Sequence, residues 1–158
     1  MKIVINKCYG VFSLSMKAVK RIAELQGRPC YFFKQDYSKG IDAPMEKISE
    51  DGKPPLLWSA FDIEDPNALM AETQGEKWHK MTQEQRIAAN KKYSAHCHDS
   101  RPDDRTDKFL VQVVEELGKE ANGSHAILAV IEIPDGVEWS LDEYDGIETV
   151  HECHRSWS

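Results

Sequence analysis

Two arginines four residues apart, Arg101 and Arg105, bracket the residues PDD just ahead of an apolar helical stretch. The start of a helix offers unpaired backbone N–H groups and the positive end of the helix dipole, which together favour an anion. Arginine adds a planar fork that matches two phosphate oxygens. Arg101, Arg105 and Thr106 are therefore candidate phosphate ligands, and Asn90, at the far end of the preceding helix with Lys91 and Lys92, is placed to reach the same ligand. The plainer alternative is an arginine pair neutralised by Asp103, Asp104 and Asp107. Aromatic rings would supply the other half of a nucleotide site, because a base stacks on them. Tyr9, Phe12, Phe61 and Trp78, with Trp58, all fall in loops or at element ends, where a ring is either a ligand wall or a lid on the core.

Other chemistries fit less well. His96-Cys97-His98 and His151-Glu152-Cys153-His154 are rich in metal donors. Structural zinc sites space their cysteines and histidines by two to five residues, which these do not, so water-facing histidines are the preferred reading and no metal is expected. GxSxG, HExxH and P-loop motifs are all lacking. Cys97 beside two histidines looks like a thiol with its base, but sequence neighbours seldom have dyad geometry. No catalytic residue and no cofactor is assigned, and a nucleotide hydrolase or lyase stays a third reading.

The chain has 158 residues, 41% hydrophobic and 30% charged, which suits a single globular domain with a real core. Lacking a long apolar run, it shows no membrane partner, and its opening residues do not form a secretory signal. Four scattered cysteines point to reduced thiols in a cytoplasm. A net charge of −7 argues against long nucleic acid as a partner. The charge is uneven: residues 1–34 sum to +6 and residues 130–158 to −7. Either the two ends meet, within one chain or between copies, or they form two solvated faces.

Hydrophobic periodicity predicts an α+β fold. A strand over residues 2–6, a helix capped by Ser13 or Ser15 and stopped at Gly27, and a strand at Cys30-Tyr31-Phe32-Phe33 would form a βαβ-like unit, parallel if both strands share a sheet. Residues 35–80 are broken by prolines and glycines, with a strand within 56–61 and a helical turn over 66–72. Thr82 and Gln85 form a capping box for a helix to about Tyr93, and a second helix starts near Asp103 or Thr106 and ends at Asn122-Gly123. The C-terminal part reads as an antiparallel β-meander joining one sheet, with residues 125–133 as a central strand.

Residues 1–15 (MKIVINKCYGVFSLS), 105–118 (RTDKFLVQVVEELG) and 133–157 (IPDGVEWSLDEYDGIETVHECHRSW) together resemble a group of small bacteriophage proteins, the Thoeris anti-defence sponges of the first type. The resemblance covers both ends and one long helix but not the irregular middle. The family pattern has a second glycine where this chain has Val11, which leaves the loop's freedom to Gly10. The resemblance implies a protein that binds a cyclic ADP-ribose signal made by a TIR-domain enzyme, or a cyclic oligonucleotide signal, and holds it unchanged in the cytoplasm of the infected bacterium. It also implies assembly of dimers into larger oligomers. To outcompete a receptor such a sponge needs nanomolar affinity, about −12 kcal/mol, which requires each phosphate to be paired; Arg101 or Arg105 is expected to contact one. The competing reading is a phage regulator that docks a basic host protein on its acidic meander, Glu132, Asp135, Glu138, Asp142, Glu143, Asp145 and Glu148.

Overall fold

The computed structural model describes residues 1–40, 42–50 and 54–153. Helices and strands are mixed and every strand pair is antiparallel, so the fold is α+β. The chain divides into two compact units, Met1–Leu25 with Ser100–Ser158, and Gln26–Asp99. No helix among the described residues is long and apolar enough to cross a membrane.

In the first unit, β1 (Lys2–Asn6) pairs with β6 (Leu128–Glu132), Ile3 opposite Ile131 and Ile5 opposite Ala129. The β-branched run of β1 is buried on both faces. Helices α1 (Met16–Leu25) and α4 (Lys108–Leu117) pack together, contributing Val19, Ala23, Leu110, Val113 and Val114 to the core. Each helix starts where a side chain takes its orphan N–H groups. The Ser15 hydroxyl accepts from Ala18 at 3.1 Å. The Asp107 carboxylate accepts from Phe109 and Leu110 at 3.0 and 2.9 Å, so Asp107, and not Asp103 or Thr106, begins α4. The α-helix ends at Leu117 and a 3-10 turn, Gly118–Ala121, carries the chain to Asn122.

The hairpin β7 (Trp139–Tyr144) and β8 (Ile147–Glu152) closes through the two-residue turn Asp145-Gly146, with φ of 51° and 88°. Positive φ at both central positions is the type I′ pattern that suits the twist of a hairpin. The expected single meander is not what forms: β6 pairs with β1 alone among the described residues, and β7 and β8 pair with each other. The first ladder runs on past β6, since Met1 exchanges hydrogen bonds with Ile133 (2.8 and 2.9 Å) and its amine meets Asp135 at 2.5 Å. The two ends of the chain do meet, as the charge asymmetry suggested, but the basic residues pair elsewhere. Lys2 meets Glu115 (2.6 Å), Arg21 meets Glu116 (3.0 Å) and Lys17 meets Glu120, all on or just after α4.

The second unit holds a four-stranded sheet in the order β3-β2-β4-β5, from β2 (Tyr31–Gln35), β3 (Met45–Ile48), β4 (Ser59–Phe61) and β5 (Cys97–His98). Helices α2 (Asn67–Thr73) and α3 (Gln83–His96) pack on each other, and a 3-10 turn, Gly75–Lys80, joins them. Phe33, Met45, Phe61 and Leu69 form the core. The described residues of 35–80 are thus more regular than the prolines and glycines of that segment suggest. Among the described residues β1 and β2 do not form a parallel strand–helix–strand unit, because β2 is flanked on both edges by β3 and β4. The Thr82–Gln85 capping box is present, and α3 runs on to His96.

The hairpin turn is seated against the first loop. A Cβ at Gly146 would lie 1.5 Å from the Gly10 carbonyl oxygen, and one at Gly10 would lie 2.2 Å from that of His125. Gly10 therefore serves close backbone packing. Asparagine tolerates left-handed backbone, so Gly146→Asn separates turn geometry from close approach. We expect it to lower stability by roughly 1–3 kcal/mol through overpacking, read as a drop in the denaturant midpoint; an unchanged midpoint would show that Gly10 and Gly146 are not in contact.

Candidate functional site

The arginine turn lies in the first unit and is built into its core. The Arg105 guanidinium lies 3.4 Å from the centroid of the Phe12 ring. It donates to the Pro102 carbonyl (2.6 Å) and to Glu148 Oε1 (2.9 Å), and the two charged side chains are 12% and 6% exposed. The other carboxylate oxygen, Oε2, accepts the backbone N–H of Asn6 at 2.8 Å. Asn6 is wholly buried. Its amide donates to the carbonyls of Cys8, Gly10 and Gly146 and accepts from the N–H of Ile127. The backbone carbonyl of Arg105 also accepts from Val4 on β1 at 2.9 Å. The Thr106 hydroxyl donates to Asp104 (2.7 Å), whose carboxyl is held below its ordinary value by hydrogen bonds from the Thr106 hydroxyl and N–H. Arg105 is thus bound to a carboxylate, as in the plainer sequence alternative, but the partner is Glu148. Arg101 is exposed.

The aromatic candidates separate. Phe12 is 4% exposed beneath Arg105 and is a core residue, whereas Tyr9 is 72% exposed. In the second unit Phe61 is fully buried, edge-on to Phe33 (5.8 Å) and Tyr93 (5.6 Å). Asn90 is exposed on α3. Trp78 lines a cavity of about 390 Å³, within the size range of small-ligand sites. Tyr37 and Tyr93 are the other rings in its wall; Met45 and Met70 add thioethers, and Gln35, Ser59, Gln74 and His79 add polar groups. The structure therefore joins Phe12 to Arg105 within the first unit and gives Trp78 a cavity within the second.

The cavity residues that sequence reasoning missed are mostly on short elements. Gln35 ends β2, Met45 begins β3 and Ser59 begins β4. Arg86, which braces Trp78, and Tyr93 are seven residues apart on α3 and so lie on one face. That spacing was the available signal.

The cysteine and histidine clusters are engaged otherwise. His96 Nδ1 donates to Asp62 at 2.9 Å rather than serving Cys97. Burial pushes the Cys97 thiol up, despite a hydrogen bond with Tyr93, and pushes the Tyr93 hydroxyl well above its usual range. Both remain protonated at neutral pH, which does not suit a thiolate nucleophile. Burial alone would raise the Asp62 carboxyl, but Arg28 (2.9 Å) and His96 outweigh it and hold it below its ordinary value. His151 and Cys153 are exposed; no group of metal-binding side chains is found among the described residues, and His154 lies outside them. No family model matches this chain, and no curated protein or solved structure does.

Arg105→Ala leaves Glu148 charged and buried without its partner, and we expect a loss of roughly 3–5 kcal/mol in denaturant unfolding. The double variant Arg105→Met with Glu148→Leu removes both charges and should recover much of that loss; equal damage would mean that the pair is not what the site depends on. His98 donates from Nε2 to the Pro29 carbonyl at 2.7 Å, and burial holds its imidazole below the ordinary 6.5. Below about pH 6.5 the unfolded chain takes up a proton that the folded form resists, so stability falls as pH falls. Asp62 acts in the same direction only in stronger acid, below its ordinary 3.8. The unfolding midpoint of the Gln26–Asp99 unit should therefore decline from about pH 7.5 to about pH 5.5. In His98→Gln, which keeps an Nε2 donor, that decline should be shallower; an equal slope would remove His98 as its source.

Proposed function

We propose that this protein is a bacteriophage anti-defence sponge, which binds a small cyclic nucleotide signal of the TIR-derived cyclic ADP-ribose type and holds it unchanged. The observation that carries this reading is the cavity in the Gln26–Asp99 unit, with Trp78 and Tyr93 in its wall. Aromatic rings beside hydroxyl and amide groups suit a nucleobase. The turn that presents Trp78 also carries Lys77, His79 and Lys80, a basic edge suited to phosphates. The sequence resemblance supplies the signal class, the host cytoplasm as the place of action, and self-association into dimers or larger oligomers. Cyclic oligonucleotide signals share the same combination of base and phosphate. The buried, paired state of Arg105 moves the expected phosphate contacts away from it and toward that turn.

A second reading rests on the hairpin. Tyr144, at its tip, is 81% exposed, and Asp142, Glu143 and Asp145 beside it are exposed. This surface suits a basic protein partner, although Glu148 is withdrawn into the core and Asp135 is paired with the N-terminal amine. Hairpin substitutions such as Asp142→Lys with Glu143→Lys would abolish that partner's binding and spare nucleotide binding.

Added to an extract that contains the cyclic nucleotide, the protein should deplete the free signal at nanomolar concentrations, and heating the complex should return it with its mass unchanged by mass spectrometry. Recovery of a cleaved nucleotide would replace the sponge with an enzyme, and no depletion would remove the proposal.

A further inference from the structure

We propose that the cavity of the Gln26–Asp99 unit seats a planar heteroaromatic base, with Trp78 as its stacking platform and Arg86 as the residue that holds the platform in position. The inference deepens the nucleotide reading above and rests on it for the choice of a purine as the ring.

Trp78 stands on a 3-10 turn, an element with little rigidity of its own. Arg86 supplies what the turn lacks. Its Nε donates to the Trp78 carbonyl (3.2 Å), its terminal nitrogen donates to the His79 carbonyl (3.4 Å), and its guanidinium carbon lies 5.6 Å from the indole centroid. One side chain therefore fixes both the backbone and the ring of the platform. Arg86 is itself steady, because it follows directly on the Thr82–Gln85 capping box that starts α3. Tyr93, two turns further along that helix, is held edge-on against Phe61 at 5.6 Å. Trp78 and Tyr93 are thus anchored before a ligand arrives, which lowers the ordering cost of binding.

The remaining lining matches a base. Met45 and Met70 offer polarisable sulfur to an aromatic ring. The Ser59 hydroxyl and the Gln74 amide each donate and accept, as the mixed edge of a purine requires. Among the described residues the lining holds no carboxylate.

Adenosine, an uncharged base and ribose, and inorganic pyrophosphate separate the two halves of a nucleotide. In the full chain, adenosine should bind and perturb the Trp78 emission, and pyrophosphate, which the basic turn can hold without filling the base seat, should not displace it. Trp78→Phe, which keeps a stacking ring, should retain adenosine binding and lose the emission change. Trp78→Ala should weaken adenosine about tenfold or more. Arg86→Gln should shift the Trp78 emission and weaken adenosine several-fold while the unfolding midpoint holds, and Arg86→Lys should restore part of both. No adenosine binding, or equal binding by the Trp78→Ala variant, would overturn the proposal. The cyclic nucleotide tests the broader reading separately. If it binds the Trp78→Ala variant as tightly as the parent, the base seat fails and the sponge stands. If adenosine binds and the cyclic nucleotide does not, the sponge fails and the seat stands.

Discussion

A buried primary amide has two hydrogens and one oxygen to satisfy, and Asn6 satisfies them with groups from distant parts of the chain. Its partners are the loop of Cys8 and Gly10, the lead-in to β6 and the turn of the C-terminal hairpin. Its own N–H reaches Glu148, which in turn holds Arg105 over Phe12. Each link removes a polar group from water and gives it a partner, and no buried side-chain nitrogen or oxygen among the described residues is left without one. The loop and Arg105, which as sequence look like the two walls of a ligand site, are parts of one internal network.

The second unit has the opposite character. Its core is aromatic, Phe33 against Phe61 against Tyr93, and its cavity opens beside that stack. Tyr93 belongs to both, so the packing that stabilises the unit also fixes one wall of the cavity. Polar groups here sit at the periphery of rings, and a ligand that is flat on its faces and polar at its edges fits such a wall.

What the sequence made legible was local. The capping box at Thr82, the Asp-Gly hairpin turn and the apolar stripe of α4 depend on contacts a few residues apart, and each appeared where it was read. Partnership was harder. An apolar run such as residues 125–133 announces a strand but not its neighbour, so β6 could not be assigned to β1 at the other end of the chain. β3 and β5, with four and two residues, are too short to show a period. Arg105 was readable as a residue that wants an anion; that Glu148 is an anion it meets is a fact of the tertiary structure. Trp78, named in the sequence as a ring that could stack, lines the cavity, whereas Arg86 and Tyr93 needed the α3 face to place them.

The order of the chain gives the Asn6 network a consequence in time. The hydrogen bond from Asn6 to Glu148 spans 142 positions, and that to Gly146 spans 140. The Gln26–Asp99 unit is continuous in sequence and has all its strands in hand once residue 98 is made. During synthesis from the N-terminus, the inserted unit can complete its sheet while β1 still waits for β6 and the hairpin. β1 thus waits for partners made more than a hundred residues later, and until then a strand that the fold buries from Ile3 to Asn6 remains exposed.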